Sequence, residues 1–192
     1  MSDLTKSEFL FKLLELPARP LNINLLLKQL GGALVKNRAV WVATSQLDLD
    51  TDGARNPGVE YESTHQNETS LCWPGGRAVN ADVTPYVVIP LQWGEKVGIK
   101  LGDIGLACIA GCDEVVPVIV ADKGKPQWIG EGSIKLHREF KHETIVHDQI
   151  VNVAIVKPFH MLLFKDSSLG HCIPNDEIHQ RAWTAWNNLI KA

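Results

Sequence analysis

Long apolar runs are the first thing these 192 residues lack. Stretches such as Leu25–Leu27 and Tyr86–Ile89 fall far short of the roughly 20 residues that cross a bilayer, so no membrane partner is expected. Charge of one sign is scarce too. With 19 Lys+Arg against 22 Asp+Glu the formal net charge is -3, which excludes the broad basic footprint of a nucleic-acid-binding protein. Residues 1–12 lack the basic start, apolar stretch and small-residue cleavage site of a signal peptide. The expectation is a cytoplasmic start, with any extracellular or periplasmic substrate reached by another export route.

Cysteine is sparse and poorly spaced for metal. Cys108 and Cys112 are four apart, while Cys72 and Cys172 stand alone, so no zinc-ribbon pattern arises. They read as reduced, semi-buried thiols, with one oxidised pair left open for an exported chain. There is no GxSxG elbow, no HExxH pair and no glycine-rich phosphate loop. No metal and no cofactor are expected. Of the seven histidines, His137 and His142 flank Phe140 in a polar stretch and read as surface residues.

What remains is an ordinary globular composition, 45% hydrophobic and 21% charged. The length fits one domain, or one domain with an appendage. Thr5 and Glu8 have capping-box spacing, and Phe9, Leu10, Leu13, Leu14 and Leu16 form a helical stripe ending at Pro17. A second helix is predicted from Asn24 to about Val35. A third starts at Pro174-Asn175, with Asp176 and Glu177 in its first turn and Ile178, Ala182, Trp183, Trp186, Leu189 and Ile190 at helical spacing. Between these ends run short β-rich segments: 40–49, 86–90, 97–101, 104–109, 115–121, 145–156 and 161–164. Six or seven such strands predict a compact barrel or sandwich. The expected division is an N-terminal helical segment over 1–38, a β core over 39–165 and a C-terminal helix packed on it over 166–192. The polar stretch 51–80 is a long loop, and long loops in small domains are usually functional.

Two groups of acids stand out. Asp48, Asp50 and Asp52 alternate at the end of the first β run, which puts all three on one face if the strand persists. An EF-hand loop starting at Asp48 fails, because its twelfth position is Val59 where a bidentate Glu is needed. The alternatives are an Asp-rich turn or an acidic groove for a polar or cationic ligand. Farther along, Asp122 follows an apolar strand, and Glu131 sits between two glycines after Trp128. Two carboxylates across a short Trp-containing loop suit glycoside hydrolysis, where one acid donates a proton and the other activates water. A solvated turn is the competing explanation.

Several separated blocks, taken together and in order, resemble glycoside hydrolase family 75, the fungal-type chitosanases. They are Leu47-Asp48-Leu49-Asp50-Thr51-Asp52-Gly53, the segment Gln66…Glu68-Thr69-Ser70, Val79-Asn80-Ala81 with Pro85 to Pro90, Gly102-Asp103-Ile104-Gly105, and Val118 through Asp122 to Gly130-Glu131-Gly132-Ser133-Ile134. The last block also resembles the final part of a double-psi β-barrel. The resemblance implies a mainly β fold with flanking helices around a six-stranded double-psi core. It implies an endo-acting hydrolase that cleaves β-1,4 bonds of chitosan with inversion, using Asp122 and Glu131. The later acid is the proton donor in such barrels, which favours Glu131 as general acid. Asp48, Asp50, Asp52, Tyr86 and Trp128 are the expected substrate contacts.

An inverting pair needs its carboxyls roughly 6.5–9.5 Å apart. Asp122, or Asp48 or Asp50 across the groove, would serve as base, and Glu131 would be kept neutral by burial near Trp128 or by a neighbouring carboxylate. The chain departs from the fungal pattern in having Thr51 where a Cys is usual. Two rival expectations follow: a peptidoglycan glycosidase, with Arg55, Arg77 or Lys123 contacting a substrate carboxylate, and an expansin-like module that binds polysaccharide without cleaving it. A monomer is expected.

Overall fold

The computed structural model describes residues 5–21, 29–56, 58–59 and 63–192. In chain order the elements are α1 (Lys6–Glu15), β1 (Ala18–Pro20), β2 (Gln29–Val35), β3 (Ala39–Thr44), β4 (Leu47–Asp50), β5 (Tyr86–Pro90), α2 (Leu91–Val97), β6 (Ile104–Ile109), β7 (Val116–Gly124), β8 (Glu131–Ser133), α3 (Ile134–Glu139), β9 (Ile145–Val146), β10 (Gln149–Ile150), β11 (Ala154–Ile155), β12 (Phe159–Phe164) and α4 (Asn175–Lys191). Ten strands form one mixed sheet in the order β1-β2-β3-β12-β6-β7-β5-β8-β4-β11, and β9 and β10 make a separate hairpin. The fold is mainly β with four helices. The ladder is open: β1 and β11, at its two ends, do not pair with each other.

Period-two alternation explains why the sheet is buried on both faces. On β7, Val116, Val118 and Val120 enter one apolar cluster while Ile119 and Ala121 enter the other. The first cluster takes residues from β3, β4, β5, β6, β7 and β12 together with Trp93 and Val97 of α2 and Leu136 of α3. The second is covered by Phe9 and Leu13 of α1 and by Ile178, Ala182, Trp186 and Leu189 of α4. The Phe9 and Trp186 rings meet at 4.9 Å between centroids, so the two terminal helices share one anchor. Trp183 is only half-buried, beside that cluster. No helix among the described residues is long and apolar enough to cross a membrane.

Both cap predictions hold at α1: the Glu8 amide donates to Thr5 Oγ1 and the Thr5 amide to Glu8 Oε2, closing a capping box. The second predicted helix does not form where it can be examined. Residues 24–28 lie outside the described residues, and 29–35 are strand β2, paired antiparallel with β3. Lys36 and Asn37, at φ 47° and 57°, are the left-handed pair in the three-residue turn 36–38 that joins them, the backbone twist that tight hairpins favour. Residues 18–20 and 29–35 therefore extend the sheet, and the segment before residue 39 is not purely helical. Residues 97–101, predicted β, instead end α2, whose C-cap Gly98 is left-handed at φ 78°.

Candidate active site

Three adjacent ladders carry the predicted acids into one row. On β4 and β8, which run parallel, Asp48 lies opposite Glu131 and Asp50 opposite Ser133. On the other side of β8, Glu131 lies opposite Val88 of β5. Across the parallel β5–β7 ladder Val88 lies opposite Asp122. The row thus reads Asp122, Val88, Glu131, Asp48. With strands about 4.8 Å apart, Asp122 and Glu131 are two spacings, roughly 10 Å, apart at the backbone.

A register shift places Asp122 there. Val87 pairs with Val120 but Val88 pairs with Asp122, so Ala121 is the extra residue of a bulge. A bulge re-aims the side chains that follow it. The alternation Asp48, Asp50 continues into the turn, where the Asp52 amide donates to Asp50 Oδ1 at 2.9 Å.

Asp122 is buried, and its Oδ1 accepts three donors: Ser70 Oγ at 2.5 Å, Ser70 N at 3.0 Å and Lys123 N at 2.7 Å. Asp52 Oδ1 accepts the Gln66 amide at 2.7 Å. The long loop is thereby tied to both carboxylates through its backbone. Oxygens of Asp50, Asp52 and Asp122 all lie within 4.8 Å of one another, near enough to share a proton or a hard cation. Burial, opposed by the Gln66 amide and assisted by Asp122, raises the Asp52 pKa to about 6. Burial pushes Asp50 well above the carboxylate range, and the charges of Asp52, Asp122 and Glu131 add to it.

Glycine makes room for Glu131. A Cβ on Gly124 would stand 3.0 Å from Glu131 Oε2 and 3.1 Å from Val88 Cγ1. Gly130, at φ +99°, lets the chain turn into β8 against Thr44 and Gln46, and its carbonyl receives the Asp48 amide.

The remaining predicted contacts divide. Trp128 Nε1 donates to Asp48 Oδ2 at 3.0 Å, and Gln46 Nε2 donates to Asp48 Oδ1. Asp48 is therefore held from both sides within the row. Tyr86 is not a substrate contact: it is fully buried, and its hydroxyl donates to the Asp52 carbonyl at 3.0 Å. Its ring packs in the core because β5 is buried along its whole length. It positions the Asp52 turn from beneath, and burial with the neighbouring acids holds its phenol well above the usual range.

Two features went unread in the sequence. A cavity of about 800 Å³ lies beside Asp122, with Ser70, Trp73, Glu95, Lys100, Lys123 and His171 on its wall. Lys100 there is paired with Asp166 at 3.0 Å, and Arg77 stacks over Trp73 at 5.4 Å. His137, predicted at the surface, is completely buried, with Nε2 at 3.2 Å from the Asp48 carbonyl. Only proximity in the fold creates these, so no local signal could have found them. Asp103, from the fourth resemblance block, serves the frame. Its carboxylate accepts the amides of Lys100, Ser167 and Ser168 and stitches the turn after β12 to β6.

Against known proteins, no family model matches this chain and no curated protein matches it.

Proposed function

We propose that the chain is an endo-acting glycoside hydrolase of an amino-sugar polysaccharide, with chitosan as the substrate, working by inversion with two carboxyls. The row that sets Glu131 and Asp122 two strands apart across Val88 carries this reading. A backbone separation of roughly 10 Å leaves room for the water that an inverting mechanism inserts between acid and base. Glu131, half-buried among like charges, protonates the glycosidic oxygen. Asp122, oriented by Ser70 and Lys123 and with Asp52 close beside it, takes the proton from the attacking water. Asp48 lines the same face and attracts the ammonium groups of glucosamine units. The parallel pairings β4–β8 and β5–β7, set among antiparallel neighbours, support a double-psi arrangement of the core strands.

A second substrate has one observation behind it. Lys123 lies on the wall of the cavity beside Asp122, and Lys100 and Trp73 share that wall. A carboxylate-bearing sugar, as in peptidoglycan, would find a cation there. Reducing-end assays on chitosan and on peptidoglycan, with wild type and Glu131→Gln, separate the possibilities. Release from chitosan alone supports the first substrate, and release from peptidoglycan alone the second. Saturable binding without product, unchanged in Glu131→Gln, would make the protein a non-catalytic polysaccharide-binding module.

A further inference from the structure

At the Asp48 backbone carbonyl two histidine rings meet. His137 Nδ1, His142 Nε2 and Thr144 Oγ1 are buried and make no hydrogen bond among the described residues. The His137 and His142 rings face each other at 5.6 Å between centroids, tilted by 46°.

Buried polar atoms are nearly always satisfied, so two orphan nitrogens on facing rings call for a ligand. Its chemistry follows from the tautomer. His137 Nε2 lies at 3.2 Å from the Asp48 carbonyl, an acceptor only, so that nitrogen carries the proton. The unpartnered Nδ1 is then a lone pair, open to a metal ion or to a proton donor. An imidazole whose far nitrogen donates to a backbone carbonyl is the usual outer-shell arrangement of a metal-binding histidine. Imidazole suits zinc and its neighbours in the first transition row more than magnesium or calcium. Two imidazoles on one tetrahedral zinc, with bonds of roughly 2.0–2.1 Å, have centroids about 5 Å apart. The observed spacing is close to that. The buried tryptophan nitrogens left unpartnered elsewhere, at Trp41, Trp93 and Trp186, are donors only and offer a metal nothing.

We propose that His137 and His142 bind one divalent transition-metal ion of the zinc class, with water completing the shell. The ion would pin the end of α3 to the strand that carries Asp48, and so act as a structural clamp behind the acidic row. The site does not depend on the polysaccharide reaction.

The test uses tag-free full-length protein stripped with a chelator. Zinc is titrated in competition with a chromophoric chelator, and thermal melts are recorded with and without zinc. The expected result is one equivalent bound and a raised Tm. His142→Ala should weaken binding at least tenfold and abolish the Tm rise, while its metal-free melt matches wild type. Asp52→Asn, which alters the other set of clustered ligand atoms, should bind zinc as wild type does. No binding by wild type, or equal binding by wild type and His142→Ala, overturns the proposal. Should the alanine variant fail to fold, His142→Gln, which keeps the volume and a polar tip, decides by the same criteria.

Discussion

Asp52 holds its proton until the pH passes about 6, because burial and the carboxyl of Asp122 oppose a charge there. In the unfolded chain an aspartate loses its proton near 4. Between those values the folded protein binds the extra proton, so stability falls as the pH rises through that window and levels off above it. Asp52→Asn should remove this slope. Because Asp52 is partly open to solvent, the gain at pH 7 is about 1 kcal/mol, read as a Tm rise of roughly 2–4 °C in melts from pH 4 to 7. An unchanged slope would place the titration elsewhere. Ser70 is the other decisive residue at this scale, since it gives Asp122 both a hydroxyl and an amide donor. Ser70→Ala deletes only the hydroxyl. Turnover should drop about tenfold with KM nearly constant, in keeping with a charge-assisted hydrogen bond worth about 1.5 kcal/mol. Steady-state kinetics on the hydrolysed polymer give the split.

At the scale of elements, the site is made by β4, β8, β5 and β7 lying side by side, and the close approach of β7's end to β8 depends on glycine. A methyl at Gly124 would press on Glu131 Oε2 and Val88 Cγ1. Gly124→Ala should therefore cut kcat by tenfold or more while moving the Tm by only a few degrees. Equal loss of both would mean that the residue serves packing alone. The strands and helices with long, strong periodicity were legible in the sequence. Residues 116–121 alternate between two cores, and Ile178, Ala182, Trp186 and Leu189 repeat along one face of α4. Helices α2 and α3, of seven and six residues, are too short to show a period, and they were missed. Segment 29–35 was misassigned because its leucines imitate a helical stripe, while the turn at Lys36-Asn37 and pairing with β3 decide for strand. Among site residues, the alternation of Asp48 and Asp50 announced a shared face. Tyr86 did not announce its burial, nor His137 its place under Asp48, because each depends on partners far away in sequence.

The whole molecule joins a curled, two-faced sheet to helices from both ends of the chain. Phe9 and Trp186 are its common anchor, so α1 and α4 should unfold together with the sheet behind them. Trp186→Ala should cost about 3–5 kcal/mol, the usual penalty for emptying a buried aromatic site, measured by denaturant unfolding. A loss below 1 kcal/mol would show α4 to be an appendage. At this scale the small surplus of acids also gains a location: Asp48, Asp50, Asp52, Asp122 and Glu131 gather at one end of four neighbouring strands. In the proposed mechanism Glu131 and Asp122 divide acid and base work across a water-sized gap. The most direct measurement is proton NMR of the first product released from a defined chitosan oligomer by the wild-type protein, with Glu131→Gln alongside. The account predicts that the α-anomer appears first and that the variant releases none. An initial β-anomer, or normal turnover by Glu131→Gln, would contradict it.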